Sequence, residues 1–205
     1  FENVLGIRDS KHIAVFNALK IGILRLGLDV AEHELCAVDF GVPQNRRRVI
    51  LAGLQSNQGY GKFSPRKRAG LTTVRDAIGD LEEPVYFKHG LDPNEFPVHR
   101  NHWTMQPKSP RFQSRDENTG DGRSFKRLQW DKASPTIAFG HREIHVHPDG
   151  HRRLSIYEAL LLQGFPREFV LEGNLSEQVE QVSNAVPPPL ARSVANALKL
   201  ALRER

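Results

Sequence analysis

Residues 44–53 read QNRRRVILAG, three consecutive arginines running straight into an apolar stretch. In an extended chain successive side chains point to opposite sides. Gln44, Arg46 and Arg48 therefore share one face, and Arg47 takes the other. The segment RRVILAG is apolar on both faces and reads as a short buried strand. A guanidinium drawn toward such a strand has to find a partner. Two arrangements satisfy that demand. One is a set of internal ion pairs with Asp39 or a neighbouring glutamate, the commoner use of partly buried arginine. The other is a site at a sheet edge lined by fixed cations, which suit phosphate oxygens or a carbonyl acceptor.

The flanking sequence places that strand in an α/β unit. Ile13, Phe16, Ile23 and Leu26 fall near helical spacing within a helix expected over 9–27, with Asp9 or Ser10 to cap it and Gly27 to end it. LDVAEHELCAVDF follows as a partly alternating strand, and FGVPQ makes a turn before the arginines. From about 56 to 150 the texture becomes irregular: Gly, Pro, Asn, Asp, Lys and Arg are dense. TVRDAIGDL suggests a short helix there, and WDKASPTIAFG and REIHVH short strands. Order returns at 152. Ser155 and Glu158 stand at capping-box spacing, Gly164 and Pro166 end that helix, and a second start falls at Ser176. A last helix carries Leu190, Val194, Ala197, Leu198 and Ala201 as its apolar stripe, with Arg203 and Arg205 at its end.

These elements suggest segments 1–56, 57–150 and 151–205, the last made of helices of which the final one returns to the first segment. The 205 residues are 39% hydrophobic and 26% charged, enough apolar material for a core. No apolar run approaches the ~20 residues of a membrane span, so no membrane partner is expected. No signal-peptide pattern opens the chain, and the single cysteine, Cys36, excludes an internal disulfide framework and suits a reducing cytoplasm. The net charge of +5 weakly favours a polyanionic partner. Cys36, inside a strand, reads as a small buried hydrophobe.

Four segments in order, FENV at the start, DFGVPQNRRRVILAG, RRLSIYEALLLQGFPREF and QVSNAVPPPLARSVANAL, resemble the carboxyl-terminal part of DNA cytosine-5 methyltransferases. The resemblance implies an α/β fold: the back half of a doubly wound methyltransferase sheet, plus a smaller, irregular, mostly β and loop target-recognition domain spanning 57–150. It implies transfer of a methyl group from S-adenosylmethionine to carbon 5 of a cytosine swung out of double-stranded DNA, in a bacterial restriction-modification system. In this family a cysteine thiolate adds to ring carbon 6, and catalysis depends on stabilising negative charge that develops on the ring. By resemblance, Glu2 holds ring N3 and the exocyclic amino group and donates a proton. Asn3 orients the neighbouring loop, Arg48 contacts the base carbonyl O2, and Gln44 and Arg46 brace the nucleophile loop and the flipped nucleotide's backbone. Asn184 and the backbone at Ala185 and Val186 hold the methionine part of the cofactor, though Ser183 stands where the family has glycine.

Other residues are assigned to DNA. Thr136 of SPTI resembles a phosphate-binding threonine, and Lys126 and Arg127 of SFKRLQW suit a DNA backbone. Arg152 matches a family arginine, in a segment read as mainly structural, whereas Tyr157 departs from the family's arginine. His141, His145, His147 and His151 lie close in sequence, but without a nearby cysteine no metal is expected.

The family's Pro-Cys nucleophile and glycine-rich cofactor motif do not occur in these residues. The chain is therefore expected to hold only part of the S-adenosylmethionine pocket and to be inactive alone. It should need the amino-terminal half as a partner, or associate with a second copy through an exposed sheet edge. Two alternatives stay open: a non-catalytic DNA-binding subunit or relic, and a tRNA-directed relative.

Overall fold

The computed structural model describes residues 1–55, 63–108, 110–112, 125–137 and 145–203. His141, Glu143, Ser124 and Arg205, and the ends of two expected strands at 138–140 and 142–144, lie outside the described residues. The chain divides into two compact units. One comprises 1–41, 45–70 and 188–205; the other comprises 42–44 and 71–187. The helices after 151 divide between the units: residues to 187 belong to the second, and those from 188 to the first.

The first unit is built on a three-stranded sheet in the order β1 (Glu2–Asn3), β4 (Arg47–Gln55), β2 (Leu28–Cys36). Both pairings are antiparallel, with Glu2 opposite Ile50 on one side of β4 and Leu35 opposite Arg48 on the other. β4 is central and its residues 48–52 are all buried, as its two-sided apolarity requires. One face packs on α1 (Ile13–Arg25): Phe16, Val49 and Leu51 are buried together, with Ile13, Leu19, Ile23 and Val30 around them. Gly53 permits this approach, because a Cβ there would stand 2.8 Å from Ile23 Cγ2.

α1 begins later than its apolar spacing suggests. Leu5–Arg8 forms a separate helical turn, and the Asp9 carbonyl, not its side chain, accepts from His12 and Ile13. Gly27, at φ +76°, ends the helix as expected. Glu32 and Glu34 project from the α1 face of β2 and bind Arg8 and Lys20 at its rim. α5 (Pro188–Arg203) buries Leu190, Ala197 and Ala201 and packs against the turn Ala37–Phe40.

Helices anchor the second unit. α2 (Val74–Ile78), α3 (Ile156–Leu162) and α4 (Leu175–Asn184) each start on a complete capping box, from Thr73, Ser155 and Asn174 respectively. The Asn174 box with Glu177 displaces the start expected at Ser176. Every residue of α3 is buried, so α3 is the hub. One side meets Val74, Ile78, Leu128, Ile137 and Leu154, and the other meets Leu171 and Val182. Around this core run two-residue strands: β5 (Val85–Tyr86) parallel to β6 (Trp103–Thr104), and β7 (Lys126–Arg127) parallel to β9 (His145–Val146). Ser134 of β8 (Ser134–Pro135) donates through both its backbone N–H and its hydroxyl to the Pro43 carbonyl, just before β3 (Gln44–Asn45).

A buried polar network supports the short strands. The Asn101 side chain donates to Leu171 O and Gln178 Oε1 and accepts from the Leu171 N–H. Trp103 Nε1 donates to the same Gln178 oxygen. His102 is fixed between the Glu82 carbonyl on Nε2 and the Ser155 hydroxyl on Nδ1. A carbonyl can only accept, so Nε2 carries the proton.

Candidate active site

The arginine run alternates as the extended-chain argument requires. Gln44, Arg46 and Arg48 are 0%, 3% and 6% exposed, whereas Asn45 and Arg47 face solvent. Arg47 pairs with Glu34, 3.2 Å away. Asp39, a candidate partner for the buried guanidiniums, pairs instead with Lys67 at 2.8 Å.

The partner of Arg48 comes from the far end of the sequence. β1 lies beside β4 with Glu2 opposite Ile50. Glu2 and Arg48 are therefore diagonal neighbours on one sheet face. Arg48 Nε lies 2.7 Å from Glu2 Oε1, a buried oxygen with no other hydrogen bond among the described residues. Arg48 also donates to the Arg47 carbonyl at 2.8 Å. Asn3, on the opposite face, accepts from the Val4 N–H at 2.8 Å and so shapes the chain leaving β1.

Two guanidiniums and one carboxylate thus share a buried face of the first unit. Burial pushes the Arg46 guanidinium down to about 10, Arg48 adds to the shift, and Glu2 partly offsets it. Burial also lowers Arg48, opposed by Glu2. Both remain cationic at neutral pH, held where water cannot screen them. Such a face offers strong donors to an anion or to a carbonyl acquiring negative charge.

The other expected residues lie in the second unit. The Gln44 side chain is buried, and neither its amide nitrogen nor its oxygen has a hydrogen bond among the described residues. Asn184 ends α4 exposed, and Ala185 leaves the helix in an extended conformation, with Ala185 and Val186 half-buried. Thr136 and Lys126 are exposed, and the Arg127 guanidinium lies against Gly150.

Arg152 is a correction to the DNA assignment. It is 2% exposed and donates to Glu158, to Glu83 and to the Arg153 carbonyl. Burial opposes its charge, but the two carboxylates more than offset this and raise its pKa. It cannot reach a phosphate without breaking that network. Cys36 is also corrected: it is half-buried, and its thiol donates to Asn45 Oδ1 at 2.9 Å. Among the described residues no group of three His, Cys, Asp or Glu side chains could hold a metal ion. His147 instead sits edge-on to Trp130, near Glu158.

One supporting residue was not singled out from sequence. Gln163, fully buried at the end of α3, donates from Nε2 to the Val182 carbonyl at 2.5 Å, ahead of Asn184. Its signal is an amide interrupting the run ALLLQGF.

The family model for the C-5 cytosine-specific DNA methylase matches residues 1–200. The chain belongs to that family. The chain is 31% identical to the type II methyltransferase M.NmeDI of Neisseria meningitidis serogroup C, over 97% of its own length and 53% of the relative. It is likewise 31% identical to the type II methyltransferase M.MthTI of Methanothermobacter thermautotrophicus, over 97% of this chain and 64% of that one. The chain therefore spans between half and two thirds of these relatives' lengths. Among solved structures it resembles a candidate DNA modification methyltransferase encoded within an E. coli prophage, with a TM-score of 0.73 and 21% identity, covering 99% of this chain and 69% of that one. It also resembles S. pombe Dnmt2 methyltransferase, with a TM-score of 0.58 and 16% identity, covering 97% of this chain and 64% of that one. These likenesses establish a methyltransferase α/β fold. No helix among the described residues is long and apolar enough to cross a membrane.

Proposed function

We propose that this chain supplies the base-polarising part of a DNA cytosine-5 methyltransferase of a restriction-modification system, acting in the bacterial cytoplasm. The observation that carries the reading is the Glu2–Arg48 pair at 2.7 Å, a half-buried carboxylate on a buried guanidinium, with Arg46 on the same face. Cytosine is a poor electrophile. Addition of a thiolate to carbon 6 pushes electron density onto the ring, toward N3 and O2. Arg48 donates to O2, and Glu2 engages N3 and the exocyclic amino group, so the developing charge meets fixed partners. Arg46, equally buried, adds positive potential and braces the flipped nucleotide's backbone. Once carbon 5, made electron-rich by the addition, has bonded the methyl group, loss of its proton and of the thiolate restores the ring's aromaticity.

The thiolate comes from outside these residues, because no Pro-Cys sequence occurs among them. The segment 184–186 fits S-adenosylmethionine: an exposed amide stands at a helix carboxyl end, whose dipole favours a cationic group. When bound, that cofactor supplies the methyl group on a sulfonium. Asn184 and the backbone at Ala185 and Val186 orient its methionine part, and Gln163 holds the preceding turn. Double-stranded DNA is the substrate, contacted in the second unit by Thr136, Lys126 and Arg127.

The test is single-turnover methylation by Arg48→Ala, Arg48→Lys and Arg47→Ala in the enzyme completed with a Pro-Cys-bearing half. A hydrogen bond to a charged group contributes about 1.5–3 kcal/mol, so Arg48→Ala should slow transfer about 10- to 150-fold. Arg48→Lys should recover little, because an ammonium lacks the planar fork. Arg47→Ala should transfer at nearly the normal rate. A crippled Arg47→Ala beside a normal Arg48→Ala would refute the assignment.

A further inference from the structure

We propose that residues 65–68 form a second DNA contact, a basic strap on the first unit that binds the phosphate backbone independently of the target-recognition region. The inference rests on the DNA substrate proposed above and extends it to residues not yet given a role.

The strap carries Arg66, Lys67 and Arg68, all exposed. Its backbone is fixed. Phe63, 3% exposed, anchors its start and meets the His33 ring edge-on at 5.2 Å. The Arg66 carbonyl accepts from the Ser193 hydroxyl of α5 at 2.9 Å. The Arg68 N–H donates to the Asp39 carbonyl at 2.8 Å. The stem of Arg68 lies over Gly41, where an added Cβ would stand 2.8 Å from Arg68 Cδ, at a φ of +80°. Any side chain at 41 would both strain that turn and displace the arginine.

The strap's arginines differ from three cations that the sheet's own carboxylates neutralise. Arg8, Lys20 and Arg47 are each matched to Glu32 or Glu34. Lys67 pairs with Asp39. Arg66 and Arg68 have no carboxylate partner among the described residues. The strap also borders the turn from which the site emerges. The Asp39 carbonyl that holds Arg68 belongs to the turn Ala37–Phe40, and the Ala37 N–H donates to the Arg46 carbonyl. A pre-ordered pair of uncompensated guanidiniums suits phosphate oxygens, which guanidinium forks bind bidentately. Such contacts position the duplex without reading its sequence.

The experiment measures binding of the completed enzyme, this chain together with a Pro-Cys-bearing half, to labelled duplex DNA across a salt series. Each phosphate neutralised contributes about 0.9 to the slope of log affinity against log salt. The variant Arg66→Ala/Lys67→Ala/Arg68→Ala should lower the magnitude of that slope by about 2–3. Arg66→Gln/Arg68→Gln, which keeps the Lys67–Asp39 pair, should lower it by about 2 and guards against misfolding of the triple variant. Arg192→Ala/Lys199→Ala/Arg203→Ala removes the same charge from α5 and should leave the slope within about 1 of wild type. Preference between DNA sequences should not change in any of them. If the strap variants keep the wild-type slope, or the α5 variant loses as much, the strap is not a contact and the DNA reading stands. If the wild-type assembly binds no duplex DNA, the DNA reading fails and the strap proposal fails with it.

Discussion

Arg46 is the residue whose burial is most costly, and replacing it should stabilise the protein while removing function. Its guanidinium falls from the ordinary arginine range to about 10, chiefly through burial and then through Arg48. One unit corresponds to about 1.4 kcal/mol, so keeping this charge in the fold costs about 3 kcal/mol. Arg46→Met has similar length, no charge and no burial penalty. The packing and hydrogen bonding of the guanidinium disappear with it and offset part of the gain, so about 3 kcal/mol is an upper bound. In a chain of this size 1 kcal/mol moves the melting temperature by about 2–4 °C, which sets the gain at up to roughly 10 °C. The sign can be checked with pH. The folded guanidinium releases its proton near 10 and the unfolded one only at higher pH, so wild-type stability rises above pH 10 relative to the variant. The melting difference should therefore be full at neutral pH and narrow above pH 10. The assay is calorimetry on both proteins, with methylation by the completed enzyme as the functional arm. Destabilisation by Arg46→Met of more than about 1 kcal/mol would refute the reasoning and make Arg46 a structural brace.

Three other outcomes are expected. Glu2→Gln in the completed enzyme should slow single-turnover transfer by about 10²–10⁴-fold while leaving DNA affinity nearly unchanged; an unaltered rate would remove Glu2 from the chemistry. Arg152→Met should destabilise the second unit by about 3–5 kcal/mol, because it leaves fully buried Glu158 without its guanidinium, yet should not change the salt slope of DNA binding. Burial lowers His147, and likewise His99, below the ordinary imidazole value of 6.5. The unfolded chain then takes up protons that the fold refuses, so stability is full above 6.5 and is lost as pH falls through and below it. Each histidine contributes at most about 1.4 kcal/mol per pH unit, and His147→Gln should flatten the decline seen in melts between neutral and acid pH.

Legibility followed the range of the physical signal. Alternation along QNRRRV is strictly local, so the buried face of Gln44, Arg46 and Arg48 could be read directly. The Ser155–Glu158 box and the stripe of α5 are local too. Partners across the chain could not be read. Asp39 and nearby glutamates were the natural candidates for Arg48, but the partner is Glu2, brought alongside by β1 pairing with β4. Sequence distance hid the correction at Arg152 in the same way, since Glu83 lies 69 residues away. At Ser176 a true local signal was outcompeted, because Asn174 caps two residues earlier with Glu177 in reach. The two-residue strands of the second unit have no period long enough to detect, and buried polar contacts at Asn101, His102 and Gln178 hold them instead.

The most direct test of the central claim is transfer of a labelled methyl group from S-adenosylmethionine to duplex DNA. The purified chain is assayed alone and with a polypeptide that carries the family's Pro-Cys and glycine-rich motifs, and the modified base is identified by mass spectrometry. The account predicts no transfer by the chain alone, 5-methylcytosine from the combination, and formation of that product slowed about 10- to 150-fold by Arg48→Ala. Robust transfer by the chain alone, or a product methylated on the exocyclic amino nitrogen, would contradict it.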